Sequence, residues 1–232
     1  GGVFKGEQLE RLVDPFVNDE MIEAVAARHA LGRRLLVATT NPGKLREIRR
    51  ILGGMSVELL GLADVAAVAE PEETGETFEA NARLKARYYD RLLPSPGFTV
   101  AEDSGLVIDA MDGEPGVYSA RFLRPDASYP ERFVEIARRL AAHPARPRTA
   151  RYVAALAVAH RGEIVYETTG VVEGEIAAAP SGAGGFGYDP IFYYPPYDRT
   201  LADVSEAEKL RVAHRGVAFR ALAAWLKTAA AS

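Results

Sequence analysis

The chain has 232 residues, of which 48% are hydrophobic and 26% charged, so it is long enough to bury the core of one large domain or two small lobes. Its net charge of -4 and its pI near 5.7 argue against long-range attraction to nucleic acid or an anionic membrane. The absence of cysteine excludes disulfides, zinc-thiolate sites and cysteine nucleophiles. No apolar stretch is long enough to span a bilayer and no signal-peptide core is present, so we expect a cytoplasmic protein.

The first 33 residues differ in pattern from the rest. Apolar residues recur at helical spacing over residues 7–31 and Pro15 interrupts them, which predicts two short amphipathic helices. We interpret residues 1–33 as an N-terminal helical extension, with Gly1 and Gly2 as candidate cloning remnants, and residues 34–232 as the main domain.

From residue 34 onward the pattern alternates between strand and helix. In chain order we expect a strand at 35–40, a helix whose apolar stripe ends at Gly53, a helix at 77–93, strands at 98–105 and 106–111, a helix at 129–143, a long hairpin of 150–160 with 163–177, and a last helix at about 215–227. Early alternation followed by a β-meander predicts an α/β protein with a mixed sheet.

The stretch TTNPGK, residues 39–44, lies between the first strand and its helix. Asn41 is a good N-cap, Pro42 suits the first helical position, and Gly43 allows other groups to approach the backbone. Exposed amides at a helix start, with Lys44 beside them, favour a phosphate. A well-capped helix with no ligand explains the same residues.

Acidic residues precede and follow the second helix. Asn81 and Lys85 share one face of that helix, where they are suited to hold phosphate oxygens or a carboxylate, and Glu73 precedes the helix within reach of a metal. In AEDSG, residues 101–105, an apolar strand leads into Glu102 and Asp103, which point to opposite faces. We expect Asp103, next to a Ser-Gly turn, to face the cleft and to hold magnesium, activate water, or both. A turn carboxylate that caps backbone amides is the alternative.

Two further stretches carry candidate ligand contacts. Lys209, His214 and Arg215 offer donors to carbonyl or phosphate oxygens just before a helical run. In GAGGFGYDP, residues 182–190, the glycines let the backbone approach a flat base, Phe186 is suited to stack on it, and Asp189 supplies an acceptor.

Six motifs in this order resemble the inosine/xanthosine triphosphate pyrophosphatase family, also called Ham1-like, over residues 34–226. The motifs are ATTNPGKLREI, EETGETFEANARLKA, AEDSGL, GEPGVYSARF, GGFGYDPIF and EKLRVAHRG. The resemblance implies an α/β fold with a mixed twisted sheet flanked by helices, in two lobes around a central nucleotide-binding cleft. It also implies a magnesium-dependent homodimer that hydrolyses the purine nucleoside triphosphates dITP, ITP and XTP to monophosphate and pyrophosphate.

The same resemblance implies roles for individual residues. Asp103 is then the catalytic base, Glu73 and Asp103 serve magnesium, and Lys85 sits among the phosphates. The implied substrate-binding positions are Thr39, Thr40, Asn41, Pro42, Gly43, Lys44, Lys85, Ser104, Phe186, Gly187, Tyr188, Asp189, Lys209, His214 and Arg215. Three positions depart from the commonest family pattern: Thr40 replaces glycine, Glu102 replaces aspartate, and Ala213 replaces serine.

The charges of the proposed substrate and of the protein suggest a mechanism for this hypothesis. A triphosphate brings about four negative charges to an acidic protein, so Lys44, Lys85, Lys209 and magnesium are expected to neutralise them locally. His214 and Arg215 are expected to donate hydrogen bonds to a 6-oxygen on the purine, and the 6-amino group of adenine would leave these donors unpaired. Two alternatives remain: a Maf-type nucleotide pyrophosphatase with another base preference, and a nucleotide-sensing module that binds phosphates without chemistry.

Overall fold

The computed structural model describes residues 34–65, 69–92 and 97–229. The predicted helical extension at 1–33 lies outside the described residues. Within the described ranges, no helix combines the length and apolar character needed to cross a bilayer.

The strands of the described residues form one twisted, mixed sheet. They are β1 (Arg34–Val37), β2 (Glu58–Gly61), β3 (Phe98–Ile108), β4 (Thr149–His160), β5 (Glu163–Ile176), β6 (Phe192–Tyr194) and β7 (Arg199–Thr200). Their order across the sheet is β2-β1-β3-β4-β5-β6-β7. β1 runs parallel to both neighbours and the other pairs are antiparallel, so the predicted mixed α/β sheet is confirmed. The short strands β2, β6 and β7 were not predicted.

Helices flank the sheet. They are α1 (Pro42–Leu52), α2 (Leu62–Val65), α3 (Phe78–Leu92), α4 (Tyr129–Ala141), α5 (Glu206–Val212) and α6 (His214–Ala229), with short 3-10 helices at Asp109–Met111, Gly116–Arg121, Asp189–Ile191 and Pro195–Tyr197. The last helix starts one residue earlier than expected. Ala213, in extended backbone, separates it from α5, and this break sets the direction of the next two side chains, His214 and Arg215.

The prediction of two strands with a turn at Ser104-Gly105 is wrong. β3 continues through both residues because Ser104 pairs with Ala154 and Gly105 with Val153 of β4. Gly105 is required for a different reason: a Cβ at this position would collide with the carbonyl of Gly116 and the hydroxyl of Ser119. The glycine therefore allows the 3-10 helix at 116–121 to pack directly on the strand.

The acidic pair of β3 lies where the pairing of this strand with β1 has ended. β1 pairs with β3 only as far as Val100, so Glu102 and Asp103 lie just beyond the carboxyl end of β1, where α1 begins. Ligands of α/β sheets bind at such ends.

The apolar core divides into two parts on either side of this region. One cluster surrounds α4 and β6, and two others surround β1, α1, α3 and α6. The candidate site lies between these two parts.

Candidate functional site

Two adjacent cavities meet beside Lys44. The aromatic cavity, about 530 Å³, is lined by Asn41, Lys44, Ser104, Gly105, Ser119, Ala120, Tyr129, Tyr152, Phe186, Gly187, Tyr188, Asp189, Lys209, His214 and Arg215. The charged cavity, about 770 Å³, is lined by Ala38, Thr39, Thr40, Asn41, Lys44, Glu70, Pro71, Glu73, Lys85, Tyr89, Glu102, Asp103, Ser104, Val117 and Ala120.

The structure brings nearly all the predicted site residues together. Three of the positions singled out in the sequence line neither cavity: Pro42 and Gly43, in the first turn of α1, and the fully buried Asn81. Gly43 instead supports the aromatic cavity from behind, because a Cβ there would lie 3.2 Å from Cδ1 of Phe186.

Asn41 caps α1, as predicted. Its Oδ1 accepts hydrogen bonds from the amides of Gly43 at 2.9 Å and Lys44 at 3.1 Å. Two of the amides expected to bind phosphate are therefore engaged by the cap. The charge at this end of the helix comes from the Lys44 ammonium, whose Nζ lies 3.4 Å from Oε1 of Glu102.

Lys85 joins two carboxylates in the charged cavity. Its Nζ lies 2.7 Å from Oε1 of Glu73 and 3.0 Å from Oδ1 of Asp103. Asn81, which shares a helix face with Lys85 as predicted, is fully buried and donates to Oδ2 of Asp103 at 3.2 Å. Its amide therefore orients a carboxylate. Arg121, which was missed in the sequence, contacts Oε2 of Glu73 at 3.1 Å.

The two carboxylates titrate in opposite directions. Burial raises the pKa of Asp103, although the nearby Lys85 ammonium acts to lower it. Glu73 is more exposed. Partial burial acts to raise its pKa, but Lys85 and Arg121 together outweigh that effect and the pKa falls below its ordinary value. Within one cavity, Asp103 is thus the more basic carboxylate and Glu73 the more firmly ionised one.

A buried ion network connects the cavities. Arg215 donates to both carboxylate oxygens of Glu102 at 2.8 Å and forms an ion pair with Oε2 of Glu47. The other oxygen of Glu47 lies 2.7 Å from Nζ of Lys209, which also contacts Asp189 at 2.6 Å. Lys209 and Arg215 were expected to offer donors to the ligand. Most of their N–H groups instead donate to carboxylates within the protein.

Burial of Glu102 acts to raise its pKa, but Arg215 and Lys44 hold the pKa well below its ordinary value. Glu47 was not predicted. The only local signal is its position four residues after Gly43, on the helix face that turns toward the cavities.

The glycine-rich loop forms a fixed wall. Gly185 and Gly187 adopt positive φ of 68° and 67°, which favours glycine. Oδ2 of Asp189 accepts from the Phe186 amide at 2.7 Å and also binds Lys209, whose Nζ lies 4.6 Å from the Phe186 ring centroid. Asp189 was expected to supply an acceptor to the ligand, and its Oδ2 shapes the loop that presents Phe186.

His214 is buried against Tyr152 in a stacked arrangement, with ring centroids 4.6 Å apart and an interplanar angle of 13°. Within the described part of the chain, its Nδ1 has no hydrogen-bonding partner. Burial, assisted by the charge of Arg215, holds the pKa of His214 well below its ordinary value. The imidazole is therefore neutral at pH 7. The sequence predicts Tyr152 as a strand residue and contains no motif that points to a functional role for it.

The profile of the Ham1 family matches residues 35–225. The chain belongs to the Ham1 family. Among curated relatives, a dITP/XTP pyrophosphatase of Acidobacterium capsulatum is 45% identical over 199 residues, covering 83% of this chain and 97% of the relative. A dITP/XTP pyrophosphatase of Halalkalibacterium halodurans is 41% identical over 193 residues, covering 82% of this chain and 97% of the relative.

Solved structures agree with the family and the fold. A HAM1 protein from Coxiella burnetii has a TM-score of 0.78 and 34% identity, and the Staphylococcus aureus Ham1 protein has a TM-score of 0.75 and 33% identity. In each case the match covers 84% of this chain and 99% of the other. The predicted family and α/β fold class are thereby confirmed.

Proposed function

We propose that this Ham1 family protein hydrolyses deaminated purine nucleoside triphosphates, dITP, ITP and XTP, to the monophosphate and pyrophosphate. The observation that carries the proposal is the direct junction of the aromatic and charged cavities at Lys44 and Ser104. A nucleoside fits the first and a triphosphate the second. Relatives that are 41–45% identical over nearly their whole length are named dITP/XTP pyrophosphatases.

Magnesium is the cofactor that the donor set fits. Glu73 and Asp103 converge on the same Lys85 ammonium, so their oxygens already face one cationic position. Among the described residues no group of three or more metal-binding side chains occurs, and magnesium commonly takes one or two carboxylates together with phosphates and waters. When bound, the ion would neutralise phosphate charge and lower the pKa of a bound water.

Asp103 is the proposed general base. It takes a proton from water as the water oxygen bonds to the α-phosphorus, while the bond from that phosphorus to the pyrophosphate oxygen breaks. Burial raises its pKa and so makes its ionised form a better proton acceptor. Asn81 and Lys85 orient the two oxygens. Lys44 and Lys85 offset the charge of the phosphates.

Base selection is assigned to His214 on the floor of the aromatic cavity. A neutral imidazole carries one N–H, which can donate to a purine 6-oxygen. If the same N–H faces the 6-amino group of adenine, two donors meet and neither has an acceptor. Arg215 is proposed as a weaker contributor, because Glu47 and Glu102 take most of its donors. Phe186 supplies the stacking surface.

We further propose a homodimer that works in the cytoplasm, where free nucleotides are found. On β5, Val165 at a β-bulge and Val171 are 42% and 40% exposed, and we take them as candidate contacts with a second copy. Light scattering should give twice the chain mass of 25.1 kDa. A single-chain mass at micromolar concentration would contradict the dimer.

The test of the function is a substrate panel with magnesium. Pyrophosphate release would be compared for dITP, ITP, XTP, dATP, dGTP, dCTP and dTTP. We expect kcat/KM for the first three to exceed that for dATP by at least about 100-fold, a discrimination typical of a buried polar mismatch. A preference for dTTP would favour the Maf-type alternative. Tight binding of ITP with no release of pyrophosphate would favour the sensing module.

A further inference from the structure

We propose that Tyr129 contacts the nucleoside of the substrate directly, with Arg132 as the residue that positions it. This inference rests on the proposed function, and it adds a residue that none of the six sequence motifs contains. Tyr129 is the first residue of α4, and its side chain lines the aromatic cavity.

Tyr129 faces the tip of the glycine-rich loop. Its ring meets the Tyr188 ring edge to face, with centroids 5.2 Å apart and an interplanar angle of 89°. A Cβ on Gly187 would lie 3.6 Å from the Tyr129 hydroxyl oxygen. Tyr129 remains 37% exposed, whereas Tyr188 is 3% exposed. Of these two tyrosines, Tyr129 is therefore the one that presents its ring to an occupant of the cavity.

Arg132 holds this ring in place. Its guanidinium carbon lies 4.8 Å from the Tyr129 centroid, and the side chain donates to the carbonyls of Ser119 at 3.3 Å and Pro125 at 3.5 Å. Arg132 is 3% exposed, its Nε has no partner within the described residues, and no ion pair to it is found there. A buried cation without a carboxylate is costly, so the aromatic face of Tyr129 is an important part of what stabilises it.

The same carbonyl connects Arg132 to the cavity wall. Ser119 O also accepts from the Tyr188 hydroxyl at 2.7 Å, and Ser119 itself lines the aromatic cavity. Tyr129, Tyr188 and the 116–121 segment thus form one connected wall. With Arg132 over its ring, Tyr129 offers its remaining surface and its hydroxyl to the nucleoside. Removing an aromatic contact with a base weakens binding about tenfold or more.

The experiment separates the nucleoside from the phosphates. We would measure kcat and KM for ITP, and inhibition constants for IMP and for inorganic tripolyphosphate. In Tyr129→Ala we expect KM for ITP and the inhibition constant of IMP to rise about tenfold, with kcat within about twofold and tripolyphosphate inhibition unchanged. Tyr129→Phe keeps the ring and should change KM by less than about threefold. Val134→Ala, at a 70% exposed position on the same helix, is the matched control.

The role of Arg132 is tested through Tyr129. Arg132→Leu should raise KM for ITP in the wild-type background but add less than about twofold in the Tyr129→Ala background, because both act on one contact. Arg132→Lys keeps the cation and should restore most of the affinity.

If the wild type is active and Tyr129→Ala leaves KM for ITP and the inhibition constant of IMP unchanged, the inference fails and the proposed function stands. An equal rise in the inhibition constant of tripolyphosphate in Tyr129→Ala would also overturn the inference, since that pattern indicates general disruption of the site. A wild type that releases no pyrophosphate from any nucleotide would instead overturn the proposed function.

Discussion

The aromatic and charged cavities are neighbours that share Asn41, Lys44, Ser104 and Ala120, yet they are built on different principles. In the charged cavity each lysine already has a carboxylate partner: Lys44 has Glu102, and Lys85 has Glu73 and Asp103. In the aromatic cavity, rings form much of the wall, the histidine is held neutral, and the ion pairs of Lys209 and Arg215 are almost fully buried. The charged cavity is therefore preorganised by ion pairs between residues that line it, and the aromatic cavity by packed rings that a buried ion network supports.

This difference separates chemistry from recognition. If the proposed function holds, phosphates in the charged cavity would replace the carboxylates as partners of the lysines, and the freed carboxylates would become available to a metal or a water. A nucleoside in the aromatic cavity would instead gain contact area and one hydrogen bond. Substitutions in the charged cavity should thus reduce kcat, and those in the aromatic cavity should raise KM.

The strongest test of the charged cavity is Asp103→Asn. Loss of the base should lower kcat about 1,000-fold, while ITP binding stays within about tenfold, because a positioned general base contributes 100- to 10,000-fold. Pyrophosphate release and isothermal titration with ITP measure the two effects. Asp112→Asn, at an 83% exposed side chain outside both cavities, is the control. Turnover within tenfold of the wild type would remove Asp103 from the mechanism.

A smaller effect is expected from Glu73→Gln. The amide keeps the shape but loses the charge, so the half-saturating magnesium concentration should rise about 10- to 100-fold. Direct titration with manganese, followed by electron paramagnetic resonance, gives a readout that does not depend on turnover. Glu72→Gln, one residue earlier and exposed, is the matched control. Unchanged manganese affinity in Glu73→Gln would show that the ion binds elsewhere.

Parts of the two cavities were predictable because the signals are local. The N-cap of α1 follows from Asn41, Pro42 and Gly43, which satisfy nearby backbone groups whatever the rest of the chain does. The Asn81 and Lys85 pair follows from helical spacing alone. The two patterns lie within residues 41–44 and 81–85, so neither needs information from distant parts of the chain.

The errors arose where distant segments decide. Ser104-Gly105 is turn-like in isolation, but β4, about 50 residues later, supplies the pairing that continues the strand. The Glu47–Arg215 pair joins residues 168 positions apart, and no local pattern predicts it. For the same reason the ion pairs of Lys209 and Arg215 with buried carboxylates from three other elements were not predicted.

The subtlest test concerns His214 and the stability of the aromatic cavity. Its pKa in the folded protein is well below the ordinary 6.5, so below pH 6.5 the unfolded chain binds a proton that the folded protein does not. The free energy of unfolding should therefore fall as pH is lowered, with a limiting slope of about 1.4 kcal/mol per pH unit from this group. Glu102, with its lowered pKa, contributes only below its ordinary value of 4.5, whereas Asp103 and Asp189, whose pKa values burial raises, also contribute above it.

Asp103 and Asp189, with their raised pKa values, act in the opposite direction, so the informative quantity is the difference between the wild type and His214→Phe. Phenylalanine keeps the stack on Tyr152 but cannot titrate, so urea unfolding of this variant should lose the His214 part of the slope; His143→Asn, at an exposed position, is the control for removing a histidine. If His214→Phe and the wild type have the same pH dependence, the imidazole is not held neutral, and the contrast between the two cavities fails at this residue.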